Sequence, residues 1–421
     1  MSVQENKEAI TTFKRLIKVA AAAISLSFIA TFLAVIPAGA QPAKDANKFL
    51  GNITTMGQVR SDFLQYWNQI TPENESKWGS VERTRDQMNW GGVDRVANFA
   101  KENNIPWKFH TLIWGSQYPS WITGLSQSDQ LAEIEEWMDA AAERYPDVDM
   151  IDVINEAYEA NNGRHAPPPF KNALGGTGST GFDWFIKAFR MARERWPKAI
   201  LIYNDYNTIE WNNEVNWQVK MAQAMKDANA PMDAVGVQAH DAWKVATNSV
   251  KSNIDRIAAV GYPIIVSEYD IGQSDDNAQK RVMEEQFTMF WNHPKILGVT
   301  YWGYIVDQTW RNGTGLKHSS GAERPALTWL VDFVKKNLDP PNDFPDLLNG
   351  GVGINRPAPL TMQSSFNGSN PRIVQVFDLQ GRAIASSVIA GRTAPVSSMV
   401  SSSGSYIVKI NNGCRSINTI R

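Results

Sequence analysis

The sequence predicts an α/β fold: a (β/α)8 TIM barrel over residues 41–338, followed by a small β-rich C-terminal module. Three observations carry that expectation. From Lys48 to Leu338, compact β-branched runs alternate with longer stretches of helical period. The runs are continuously apolar, as parallel strands covered on both faces must be. Nearly every run then ends on polar or ionisable residues, which places those residues on the barrel face where active sites assemble. A doubly wound open sheet is the alternative, but no glycine-rich phosphate fingerprint follows any run.

In chain order, "WNQITPENE" and "WKFHTLIWG" are the first such runs, followed by "MIDVIN", "AILIYND", "DAVGVQAH", "PIIVSEYD" and "ILGVTYWG". Between them, Leu131, Ile134, Trp137, Met138 and Ala141, then Trp184, Phe185, Ala188, Phe189 and Ala192, recur at helical spacing. The polar residues at the run ends are Glu73, Asn74 and Lys77; His110; Asn155 and Glu156; Asn204 and Asp205; Gln238 and His240; Glu268 and Asp270; and Trp302.

Residues 1–40 read as a signal peptide. Lys14, Arg15 and Lys18 precede an uncharged run from Val19 to Ile36, and Pro37-Ala38-Gly39-Ala40 supplies small residues for cleavage after Ala40. The expectation is export to the cell surface or medium, with no membrane segment in the mature form; an uncleaved anchor is the competing reading. After Leu338, Asp339-Pro340-Pro341 opens a Pro/Gly/Asn-rich stretch read as a linker over 339–359. Residues 360–421 form the module, with "RIVQVFDLQGRAIASS" and "GSYIVKINNG" as alternating strands. From Gly351 onward Arg356, Arg372, Arg382, Arg392, Lys409, Arg415 and Arg421 face Asp378 alone.

The 41 basic and 43 acidic residues leave a net charge of −2, which argues against nucleic acid or an anionic membrane as the main partner. The single cysteine, Cys414, excludes an internal disulfide and a cysteine-based zinc site. The five histidines (110, 165, 240, 293 and 318) form no His-Glu-x-x-His helix, and no Gly-x-Ser-x-Gly elbow is present. Neither metal nor cofactor is expected. The 16 Trp and 11 Tyr pack a core for the most part and leave some flat rings for a ligand.

Two carboxylates at neighbouring strand tips suit glycosidic cleavage, which needs one acid to protonate the leaving oxygen and one carboxylate to attack or to activate water. Glu156 and Glu268 are the candidates. Asn155 is placed to grip a sugar hydroxyl, His240 to orient Glu268, and Asp270 to fix the His240 tautomer.

"TPENESKW", "HTLIWGSQYPSW", "DVINEA", "YNDYN", "GVQAH", "VSEYDI" and "YWG…DQTW" together resemble glycoside hydrolase family 10, the retaining endo-β-1,4-xylanases on (β/α)8 barrels. The resemblance spans roughly Lys48 to Leu338. It implies that Glu156 is the acid/base, Glu268 the nucleophile, and His240 with Asp270 the pair supporting it. It implies substrate contacts from Glu73, Asn74, Lys77, His110, Gln117, Trp121, Asn204 and Gln238, with Asn155 and Gln238 touching sugar and nucleophile, and Trp302 and Trp310 as aromatic walls. The implied partner is xylan or arabinoxylan, and the implied state a monomer. Two positions depart from the family pattern: Gly115 replaces a histidine and Ile151 an aromatic. Gly115 opens the cleft, which predicts acceptance of arabinose branches. A non-catalytic polysaccharide-binding barrel and a retaining β-1,4-glucanase are the alternatives. The C-terminal module resembles, through "VFDLQGR" and "GSYIVKI", the sorting domains of proteins exported by some Gram-negative bacteria; carbohydrate binding is its alternative role.

Overall fold

The computed structural model describes residues 41–158 and 167–348, together with four strand segments within 372–420. Eight parallel strands form the barrel: β1 (Phe49–Ile53), β2 (Gln69–Thr71), β3 (Lys108–Trp114), β4 (Met150–Asn155), β5 (Ile200–Asp205), β6 (Ala234–Val237), β7 (Ile264–Tyr269) and β8 (Ile296–Tyr301). Each pairs with its sequence neighbour, and β8 returns to β1. Closure between β2 and β3 rests on one parallel bridge, Ile70 with Trp107. The expected barrel is therefore the observed one. The strands are buried along almost their whole length, which explains their unbroken apolar runs.

Helices α1 (Gly91–Asn103), α2 (Gln127–Arg144), α3 (Asp183–Arg195), α4 (Asn212–Asp227) and α5 (Thr247–Ala258) follow β2 to β6. After β7, α6 (Asp276–Val282) runs through a π-helical turn, Met283–Phe287, into Thr288–Asn292, and α7 (Pro325–Lys336) closes the ring. The α2 start is fixed by Ser126, whose hydroxyl accepts the Asp129 N–H, and α7 begins at Pro325, where the missing N–H costs nothing. The one departure from strict alternation lies between β1 and β2, which are joined through a single 3-10 turn, Phe63–Gln65.

The stretch 339–348, read from sequence as the start of a linker, is part of the barrel domain. Leu347, with Phe344 and Leu348, packs on Phe49, Met150, Ile200, Ile202, Ala234, Ile265 and Leu297 at the N-terminal mouth of the strands. Asn342 Nδ2 donates to the Asn47 carbonyl at 2.8 Å, and the Asp343 N–H to the Pro294 carbonyl at 2.8 Å. α7 ends at Lys336, ahead of the proline pair, and three apolar side chains beyond it cap the barrel floor. The rest of the linker and the signal segment lie outside the described residues. No helix among the described residues is long and apolar enough to cross a membrane. In the module, β9 (Arg372–Phe377), β10 (Ala383–Ile389), β11 (Gly404–Ile410) and β12 (Gly413–Ile420) form an antiparallel sheet in the order β10-β9-β11-β12.

Candidate active site

The tips of β2 to β8 converge, and Glu156 and Glu268 stand at the tips of β4 and β7. Glu156 immediately follows β4 and takes a left-handed conformation (φ 52°), as does Ala239 (φ 63°) just after β6. Such turns are uncommon for residues with a Cβ and cluster at functional sites. Here they let Gln238 and His240, flanking Ala239, serve different carboxylates. Gln238 Nε2 donates to Glu156 Oε1 at 3.0 Å, and Trp114 Nε1 to Glu156 Oε2 at 3.1 Å. On the other side His240 Nε2 lies 3.2 Å from Glu268 Oε2 and Asn204 Nδ2 donates to Glu268 Oε1 at 2.7 Å.

The environments drive the two carboxyls apart. Burial pushes Glu156 up to about 7; a hydrogen bond from Gln238 opposes this, while the charges of Glu268 and Asp205 add to it. Burial would raise Glu268 as well, but the His240 hydrogen bond and charge, with Lys108 beyond, hold it down at about 2. Burial also opposes charge on His240, yet Asp270 and Glu268 override it and take the imidazole to about 10. His240 is therefore an imidazolium donating from both nitrogens, Nδ1 to Asp270 Oδ2 at 2.9 Å. Asp270 thus holds the ring as the sequence suggests, and its charge also favours the protonated imidazole. The same Asp270 oxygen accepts from Trp310 Nε1 at 2.7 Å, so one buried carboxylate fixes both His240 and the half-exposed Trp310 ring.

Most of the remaining sequence candidates also meet here. Lys77 Nζ donates to Asn74 Oδ1 at 2.9 Å and Gln117 Oε1 at 2.8 Å, and lies 4.8 Å over the Trp114 ring. Burial raises the Glu73 carboxyl and lowers the Lys77 ammonium, and their mutual attraction opposes both shifts. His110 is buried, 2.8 Å from Asp152 Oδ2 through Nδ1, and edge-on to Trp302. Lys108 lies 2.8 Å from the same oxygen.

Three candidates have protein partners that the sequence did not indicate. Asn204, expected on the substrate, is fully buried and uses its amide on Asn155, Glu268 and the Ser267 hydroxyl. Gln238, expected on the nucleophile, bonds Glu156 and Asn155. Trp121 stands apart from the carboxylates: Nε1 donates to the Glu82 carbonyl at 3.2 Å and the ring packs edge-on to Trp78. Trp114 joins the site as well: an aromatic ending an apolar strand reads as core, and its indole N–H on Glu156 has no sequence signature. Among the described residues Glu82, Asp86 and Glu133 bring three oxygens within 4.8 Å, but Glu82 accepts from Trp78 and Asp86 and Glu133 pairs with Arg85, so hydrogen bonds and an ion pair already occupy this group.

Two carboxyls at barrel strand tips, held in different environments, are the arrangement that glycoside cleavage uses. Comparison with known proteins agrees. Residues 39–333 match the model of glycosyl hydrolase family 10. Endo-1,4-beta-xylanase B of Cellvibrio japonicus is 47% identical over 288 residues, which is 68% of this chain and 46% of that protein. The chain thus spans under half the length of that relative. Native xylanase 10B from Thermotoga maritima superposes with a TM-score of 0.61 at 27% identity, covering 71% of this chain and 98% of that one. Xylanase 10B from Thermotoga petrophila RKU-1, in complex with xylobiose, gives the same score at 26% identity, over 71% and 97% of the two chains. The chain belongs to glycosyl hydrolase family 10.

Proposed function

We propose that the protein is an exported endo-1,4-β-xylanase that cleaves internal bonds of xylan or arabinoxylan with retention of configuration. The observation that carries this reading is the pair of carboxyls at the tips of β4 and β7, each held by its own donors, in a chain of glycosyl hydrolase family 10. Glu268, ionised and held by His240 and Asn204, attacks the anomeric carbon. Glu156 gives its proton to the departing glycosidic oxygen, so the C1–O bond breaks as the Glu268–C1 ester forms. Once Glu268 is esterified, its charge no longer favours the protonated form of Glu156. Glu156 then takes a proton from water, the resulting hydroxide attacks C1, and the ester bond returns its electrons to Glu268.

The surrounding groups support a sugar chain in the cleft. Asn155 Oδ1 accepts from Asn204 and Gln238, which leaves its buried Nδ2 without a protein partner and suited to a sugar hydroxyl beside C1. Glu73, Asn74, Lys77 and Gln117 offer a hydrogen-bonding wall, and Trp302 and Trp310 offer ring faces for the apolar side of a pyranose. The family relatives favour xylose over glucose. Export rests on the residue pattern of positions 1–40.

Reducing-sugar release from beechwood-type xylan and from carboxymethylcellulose, with proton NMR of the first-formed anomer, tests this. Release from xylan alone with the β-anomer appearing first is the expected result. An α-anomer would exclude the ester intermediate, and folded protein inactive on both polymers would favour a binding barrel. Gly115 predicts faster release from arabinoxylan than from linear xylan, and equal rates would remove that refinement.

The support of Glu268 has its own test. A Cβ at Gly236 would lie 2.5 Å from Asn204 Oδ1, closer than atoms pack. Gly236→Ala is expected to displace Asn204 and lower kcat on xylan roughly 10–100-fold, as small misplacements of reacting groups do, while circular dichroism shows a folded protein. An unchanged kcat would mean that Asn204 does not restrain Glu268.

A further inference from the structure

The left-handed Glu156 is tied to β5 by successive backbone N–H groups. Glu156 N–H donates to the Asn204 carbonyl at 2.9 Å, Ala157 N–H to the Tyr203 hydroxyl at 3.3 Å, and Tyr158 N–H to Asp205 Oδ2 at 3.3 Å. The Tyr203 hydroxyl in turn donates to Asp205 Oδ2, and Tyr206 N–H reaches Asp205 Oδ1 at 2.8 Å. Both side chains are fully buried. Burial, with Asp205 beside it, raises the Tyr203 phenol well above its ordinary range, so it stays a proton donor.

We propose that Tyr203 and Asp205 are a positioning pair for the acid/base: together they clamp residues 157–158, which aims the Glu156 carboxyl. Neither residue reaches the reacting atoms. The inference rests on Glu156 being the acid/base, as read above.

Among the described residues, the groups facing Glu156 from its neighbouring elements are Lys77 after β2, Trp114 on β3, Asp205 on β5, Gln238 and His240 after β6, and Glu268 on β7. Lys77 and His240 favour its ionised form. Glu268 and Asp205 oppose ionisation, and Glu268 loses its charge during turnover. Asp205 is, among the described residues, a negative group that persists through both steps. Among the described residues, Tyr203, Tyr158, Glu156 and the Tyr206 N–H stand around Asp205.

The test measures pH profiles of kcat/KM for the full chain, Asp205→Asn and Tyr203→Phe. It uses a phenyl xylobioside, which needs a proton on the leaving oxygen, and a 2,4-dinitrophenyl xylobioside, which does not. Asp205→Asn is expected to move the alkaline limb to lower pH by about half a unit to one unit, with the acidic limb in place. It should slow the phenyl substrate about tenfold, a small part of the general-acid contribution, and the dinitrophenyl substrate less than twofold. Tyr203→Phe keeps the charge but loses the bond to Ala157, so the same substrate asymmetry is expected with the alkaline limb unmoved. An unshifted limb in Asp205→Asn, or equal losses on both substrates in Tyr203→Phe, overturns the pair. If Asp205→Asn does not fold, the substrate ratio in Tyr203→Phe decides. A wild-type chain that cleaves neither glycoside overturns the xylanase reading itself and the pair with it.

Discussion

Glu268→Ala is expected to reduce xylan hydrolysis roughly 10⁴-fold or more, the scale seen when a covalent nucleophile is removed. Every interaction around this carboxylate serves its ionised form. His240 and Asn204 donate to its two oxygens, and its pKa is held at about 2. A group that only stabilised passing charge would leave a larger residue of activity. The distinguishing measurement uses azide. With the Glu268 side chain gone, azide fits the vacated space and attacks C1 directly, so an activated β-xylobioside yields the α-xylobiosyl azide. Recovery of that inverted product identifies the position as the nucleophile; activity within tenfold of wild type would exclude the role. The substitution also leaves His240 facing Asp270 with one carboxylate fewer, so its imidazole pKa falls from about 10, and an NMR titration of the His240 ring reports this independently of turnover.

How far such a site can be read from sequence depends on the scale asked of it. Strands β4 and β7 are plain because "MIDVIN" and "IIVSEY" are buried at every position, and the tip residues of those strands must share a face. β1 is not plain. Its Gly51 interrupts the apolar run, and the reason lies on the neighbouring strand β2: a Cβ there would meet Gln69 Oε1 at 1.8 Å. The carboxyls, His240 and Asp270 follow from strand-tip position. Which amide serves which carboxyl does not. Asn204 and Gln238 look equivalent in sequence, and only the stagger of β5 against β6 and the left-handed turns at Glu156 and Ala239 send one to Glu268 and the other to Glu156. Charge is equally a collective property. Two buried carboxylates push the His240 pKa up, and its neighbours in the chain say nothing of that. Residues 342–348 were hidden for the opposite reason, since Phe344, Leu347 and Leu348 are too sparsely spaced to signal that they cover the barrel floor.

Glu156→Ala is expected to separate the two steps of the reaction. The first step on xylan needs a proton on a poor leaving oxygen, so kcat/KM should fall by about 10²–10⁴-fold, the usual range for general-acid catalysis. A 2,4-dinitrophenyl xylobioside leaves without that proton, so its kcat/KM should stay close to wild type while its kcat falls, because the ester on Glu268 now lacks a base to activate water. Azide needs no base, and it should restore kcat and give the β-xylobiosyl azide, the anomer opposite to that from Glu268→Ala. The pH profile supplies the sign. Glu156 titrates at about 7 and works protonated, so wild-type kcat/KM on xylan falls as pH rises through that value. In Glu156→Ala this alkaline limb should vanish. Its persistence would assign the limb to another group and remove Glu156 from the acid role, whereas its loss together with β-azide formation requires a carboxyl at the tip of β4 that gives up a proton and later takes one back.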